Sequence, residues 1–110
     1  MGSLQIKVTN YDRALATDPH FVLALNNKGL ALADLGNDTG AIIYYDKALA
    51  IDRKNTFALD NKGAALGNLG NHTGAIIYYD KALAIDPKYE NGRSAKYRNP
   101  GAFSHPRIAR

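Results

Sequence analysis

TGAIIYYDKALAID fills residues 39–52 and returns unchanged at residues 73–86. Fourteen identical residues displaced by 34 mark a tandem duplication, and the period sets the fold before any single residue does. Over the whole period, residues 22–55 and 56–89 agree at 25 of 34 positions. A partial copy precedes them: YDRALATDPHF at 11–21 matches YDKALAIDRKN at 45–55 and YDKALAIDPKY at 79–89. The expected organisation is a partial repeat at 1–21 with only a second helix (about residues 4–17), full repeats at 22–55 and 56–89, and a degenerate cap helix with a basic tail at 90–110.

Each full unit reads as two helices. The first, LALNNKGLALADL at 23–35, repeats apolar residues at Leu25, Leu32 and Leu35 with small residues between. LGN then breaks it, because Gly36 or Gly70 can adopt the left-handed conformation that closes a helix. Asn37, Asp38 and Thr39, or Asn71 and Thr73, all carry oxygens able to cap the next helix, and the sequence does not fix which one does. The second helix places Ala41, Ile42, Tyr45, Ala48, Leu49 and Ile51 at helical spacing. Asp18-Pro19 and Asp86-Pro87 end the outer copies, since proline disfavours a helical residue before it. Arg53 stands in the middle copy where proline stands in the others, so that helix is expected to run slightly longer.

A 34-residue unit with a glycine in the first helix, a glycine at the turn, A-x₃-Y-x₂-A-L in the second helix and Asp-Pro at its end resembles a tetratricopeptide repeat. The family's small positions correspond here to Gly29, Ala41 and Ala48, then Gly63, Ala75 and Ala82. Its large ones correspond to Leu25, Leu32 and Tyr45, then Leu59, Leu66 and Tyr79. The departures are leucines where the family often has Trp and Tyr, and Lys28 and Lys62 where it often has Leu. The resemblance covers residues 7–89 and implies an all-α, antiparallel helix-hairpin solenoid, a right-handed superhelix whose first helices line a concave groove for a peptide or a partner helix.

Five of the nine differences between the two copies bear on that groove. Leu23/Phe57, Asn26/Asp60, Leu30/Ala64, Ala33/Gly67 and Asp34/Asn68 fall on one stripe of the first helix, within a sector of about 100°. The resemblance puts this stripe in the groove, together with the unchanged Asn27 and Asn61 at its border. An asparagine there can both donate to and accept from an extended peptide backbone. Simple drift of a solvated face after duplication would leave the same pattern. Some chaperone-binding members of the family clamp a peptide's terminal carboxylate with lysine and arginine on successive first helices. This stripe carries no cation; Lys28 and Lys62 sit one position beyond Asn27 and Asn61, towards the packed side, and a neutral or basic ligand segment suits the groove better.

Composition narrows the remaining classes. The chain has 110 residues, 45% hydrophobic and 22% charged, enough to fold, and no cysteine, which removes thiolate chemistry and disulfides. His20, His72 and His105 read as loop or tail residues, and no metal or cofactor is expected. The recurring Asp46/Asp80 and Asp52/Asp86 read as surface and helix-end groups rather than an acid–base pair, so no enzyme is expected. In Tyr44-Tyr45 and Tyr78-Tyr79, one ring packs in the core and its neighbour sits at the rim. Asn37-Asp38-Thr39 and Asn71-His72-Thr73 fit the glycosylation pattern but read as turn and cap residues, since MGSLQIKVTN holds no apolar leader core. No apolar run is long enough for a membrane span, and the expected location is the cytoplasm.

The net charge of +4 is concentrated at one end: residues 88–110 carry a balance of +5 and residues 1–87 a balance of −1. A nucleic-acid-binding face is thus disfavoured for the body, though a basic-tailed nucleic-acid module remains the alternative function. A ligand-free piece of a longer array that self-associates is the other. About three repeats are usually needed for stability, so the unpaired terminal helices favour homo-oligomers, and Met1-Gly2-Ser3 is compatible with a chain cut from a longer array. The tail reads as a short cap helix (about residues 90–98) before an extended segment, as an altered or vector-derived ending, or as a strand that enters a neighbour's groove.

Overall fold

The computed structural model describes residues 2–87, and the expected cap helix and tail lie outside them. Five helices follow in order: α1 (Gly2–Thr17), α2 (Val22–Asp34), α3 (Asp38–Ile51), α4 (Thr56–Asn68) and α5 (His72–Ile85). No strand occurs among the described residues. Consecutive helices pack against one another, and α2 also touches α4. The result is an all-α helical-repeat solenoid in which α2–α3 and α4–α5 form successive hairpins.

The hairpins are set by a large residue against a small one. Tyr45 of α3 is 1% exposed and Tyr79 of α5 is 0% exposed. Their rings lie on Gly29 and Gly63: a β-carbon on Gly29 would stand 2.6 Å from Tyr45 Cε1, and one on Gly63 would stand 2.8 Å from the Tyr79 ring. Ala41 and Ala48, like Ala75 and Ala82, are buried on the same helix faces and let the backbones approach. Both copies bury the pairs Ala24/Ala58, Leu25/Leu59 and Ala31/Ala65. Tyr11, the counterpart of Tyr45 in α1, is only half-buried, because α1 packs on α2 alone.

Two kinds of turn alternate. Inside each hairpin, Gly36 and Gly70 take φ of 88° and 89°. The Asn37 N–H donates to the Leu32 carbonyl at 2.8 Å and the Gly36 N–H to the Ala33 carbonyl at 2.9 Å, which satisfies carbonyls left over at the end of α2. The Asn37 side chain then caps α3, accepting from the Gly40 N–H at 2.8 Å, and Asn71 does the same for Gly74. Of the candidate caps, the asparagine is the one used in both copies.

Between hairpins, the aspartate rather than the proline shapes the turn. Asp52 Oδ1 accepts from the Lys54 N–H at 3.3 Å, as Asp18 Oδ1 accepts from the His20 N–H at 3.0 Å. Arg53 therefore does not lengthen its helix, contrary to expectation: α3 ends at Ile51 just as α5 ends at Ile85. Ile51, expected on the packed face, is exposed at that last position.

A second device ties one hairpin to the next. Lys28 of α2 reaches back to Asp12 of α1 and forward to the Tyr44 hydroxyl of α3, 2.9 Å away. One period later, Lys62 reaches Asp46 at 2.6 Å and the Tyr78 hydroxyl at 3.1 Å. Both ammonium groups also lie 4.2 Å from the centroid of the tyrosine ring they bond. The lysine side chains are 14% and 13% exposed, their stems covered and their charge held by partners. Burial lowers the pKa of each, but the hydrogen bonds to Asp12 and Tyr44, and to Asp46 and Tyr78, outweigh it and raise both above the ordinary 10.5.

Two predictions follow from this packing. Gly29→Ala or Gly63→Ala is expected to cost about 1–3 kcal/mol in urea denaturation, because a buried ring has nowhere to move; a neutral effect would contradict the close contact. A raised folded pKa means the lysines' contribution is complete below 10.5 and lost as pH climbs through the folded value. The stability of the wild type relative to the Lys28→Met/Lys62→Met variant should therefore hold level from about pH 6 to about pH 9 and fall once the pH passes 10.5. A difference that stayed level throughout would count against the ladder.

Candidate functional site

The stripe of divergent residues divides into an open part and a closed part. Leu23 is 61% exposed, Leu30, Asp34 and Asn68 are exposed, and Asn27, Ala33, Phe57 and Ala64 are half-buried. Asn26, Asp60, Asn61 and Gly67 are buried. At the N-terminal ends of α2 and α4, a cleft of about 320 Å³ brings together Leu23, Asn26, Asn27, Asn55 and Phe57 beside Val22. Leu30, Asp34, Asp60, Asn61, Ala64 and Asn68 do not line it.

The polar groups of this cleft are placed by the start of α4. Asn55 caps that helix, its Oδ1 accepting from the Ala58 N–H at 2.9 Å, and the same oxygen accepts from Asn26 Nδ2 at 3.1 Å. Asp52 Oδ2 in turn accepts from Asn55 Nδ2 at 3.2 Å. This chain fixes the orientation of the Asn26 amide. Its Oδ1 is buried and has no hydrogen-bond partner among the described residues, an acceptor whose burial is unfavourable until a donor meets it. The apolar walls come from Leu23 on α2 and Phe57 on α4.

Further along the face, the side chains are committed internally. Asn61 Nδ2 donates to the Phe57 carbonyl at 2.9 Å. Asn68 Nδ2 donates to Asp38 Oδ1 at 3.3 Å, linking the end of α4 to the start of α3. The stripe keeps Asp34 and Asp60 as its charged residues, while Lys28 and Lys62 are drawn off to the ladder. Sequence reasoning missed Asn55, which lies at a repeat edge, and it missed the ladder. The signal for the latter was present: an Asp–Lys–Tyr series at steps of 16 occurs as Asp12, Lys28, Tyr44 and again as Asp46, Lys62, Tyr78.

Among the described residues, no group of three or more His, Asp or Glu side chains could hold a metal ion. No described helix is long and apolar enough to cross a membrane.

Family models described as tetratricopeptide repeat match residues 8–56 and 56–89. No curated protein sequence matches the chain. Among solved structures, the chain is similar to the first TPR of Spaghetti (RPAP3) bound to the HSP90 peptide SRMEEVD, with a TM-score of 0.82 and 23% identity over 92% of this chain and 82% of that one. It is likewise similar to the first TPR domain of the human RPAP3 protein, with a TM-score of 0.81 and 23% identity over 92% of this chain and 81% of that one. At that identity the likeness speaks for the fold.

Asn55→Ala is expected to destabilise the chain by about 1–2 kcal/mol, more than Asn37→Ala does, because it removes the cap of α4 and the partner of Asn26 together. Equal losses in chemical denaturation would show that the Asn26 bond contributes nothing.

Proposed function

The chain belongs to the tetratricopeptide-repeat family, and from that premise we propose that it is a protein-interaction module whose first helices receive an extended peptide of neutral to basic charge. The observation that carries this reading is the cleft of about 320 Å³ at the starts of α2 and α4, lined by Asn26, whose buried Oδ1 has no hydrogen-bond partner among the described residues. A ligand N–H that reached that oxygen would supply the missing donor. Asn27, on the same wall, offers both a donor and an acceptor to the next peptide group. Leu23 and Phe57 flank the path and take an apolar side chain of the ligand between them.

Electrostatics select the sign of the ligand. The face exposes Asp34 and has no lysine or arginine of its own, so a carboxylate-rich peptide would meet like charge and no cation. The Spaghetti domain holds the acidic peptide SRMEEVD; the groove proposed here lacks the cations to do the same. The module acts by binding alone, with no catalytic step.

A library of extended peptides selected against the full chain should enrich neutral and basic sequences. Asn26→Ala/Asn27→Ala is expected to weaken the selected peptides about tenfold or more in calorimetry, the loss of one or two well-placed hydrogen bonds. SRMEEVD serves as the control expected to show no binding. Selected peptides that bind the double variant unchanged would defeat the groove, and tight binding of SRMEEVD would defeat the charge assignment.

A further inference from the structure

On the side of the second helices there is a larger opening. The helices α3 and α5 each pack on α4 but do not touch one another among the described residues, leaving a crease between them with α4 as its floor. The crease holds about 560 Å³, within the range of small binding pockets. Its floor and sides are apolar where Leu49, Leu59, Ala84 and Ile85 line it, and Ile85 is exposed there. Its rim is basic: Arg53 and Lys54 from the α3–α4 turn and Lys81 from α5. Lys62 and Asp46 also line it, but they neutralise each other. No described carboxylate forms an ion pair with Arg53, Lys54 or Lys81.

Arg53 is the telling residue. The turns of the three copies read Asp18-Pro19-His20, Asp52-Arg53-Lys54 and Asp86-Pro87-Lys88. Asp52 shapes its turn as Asp18 does, and α3 ends where α5 ends, so the arginine does nothing for the turn that proline does not do elsewhere. What it adds is a cation at the mouth of the crease.

We infer that the crease between α3 and α5 is a second docking surface, distinct from the first-helix groove, for an acidic peptide segment of a partner protein that carries an apolar side chain. The apolar side chain sits on Leu49, Leu59 and Ile85, and flanking carboxylates meet Arg53, Lys54 and Lys81. Charge complementarity selects this occupant. The chain's own residues 88–110 carry +5 and lack that complementarity. A nucleic acid fits the charge but not the floor, which is aliphatic. The one ring there, Tyr78, already has the ammonium groups of Lys62 and Lys81 over it at 4.2 and 4.7 Å. The two faces of the solenoid would then bind ligands of opposite charge at once, each independent of the other.

The test is fluorescence anisotropy on the full chain at physiological salt. The probe is a labelled peptide of glutamates with a central leucine and phenylalanine, both ends blocked. The peptide is expected to bind, and Arg53→Glu/Lys81→Glu is expected to weaken it about tenfold or more, since both partners' charges are reversed against it. Arg98→Glu/Arg107→Glu, an equal reversal in the tail, should change it less than about threefold, as should Asn27→Ala in the first-helix groove. Circular dichroism melts check that these substitutions leave the fold intact. Absence of binding, an equal loss from the tail reversal or from Asn27→Ala, or unchanged binding when serine replaces the leucine and phenylalanine would each overturn the inference. So would a single-stranded oligonucleotide of the same charge that binds more tightly and is weakened by the same crease reversal.

Discussion

The rest of the molecule depends on how closely a tyrosine ring can approach a glycine. Tyr45 on Gly29 and Tyr79 on Gly63 set the distance between the two helices of each hairpin. Once that distance is short, the facing positions must be alanines, and Ala41, Ala48, Ala75 and Ala82 are. This core contains little bulk. It works because each large ring fills a space that small residues leave, at the density of a crystal rather than a liquid. A face used in this way cannot vary, and Gly29, Ala41, Tyr45 and Ala48 recur unchanged as Gly63, Ala75, Tyr79 and Ala82. The differences in the first helix fall on a stripe that leaves Gly29 and Gly63 unchanged.

That division explains what the sequence disclosed. Period, helix pairing, the turn glycines and the buried tyrosines are all consequences of residue type at a fixed spacing, and they are legible from Gly29, Gly36, Tyr45 and their copies. Cap identity was not legible, because Asn37, Asp38 and Thr39 are all chemically competent and only backbone geometry chooses among them. Arg53 misled for a related reason: proline looks like the helix stop, whereas the Asp52 carboxylate makes the turn with or without it. In the candidate site, spacing placed Asn26 and Asn27 on one face, but could not reveal that Asn55, from a repeat edge, would hold the Asn26 amide in place. That bond crosses 29 residues of chain, beyond the reach of local pattern.

Charge is sorted by the same architecture. Lysines at 28 and 62 stand at largely covered positions and are tolerated because an aspartate and a phenol meet them there. Taking those ammonium groups into the packed seam leaves the first-helix face with only acids, while Arg53, Lys54 and Lys81 gather at the opposite crease. A near-neutral body thereby gathers cations at the crease and keeps none on the first-helix stripe, a property invisible in its total charge.

The lysine ladder also bears on how such a chain grows. Asp46 belongs to one period, and Lys62 and Tyr78 to the next, so the bond between neighbours is made of residues that every period already contains. A gene segment copied in tandem brings its own adhesive: the rear of each new unit fits the front of the old one without further mutation. The joint is inherited with the part, which lets the array lengthen by recombination alone and leaves point mutation free to work on the faces that meet other molecules.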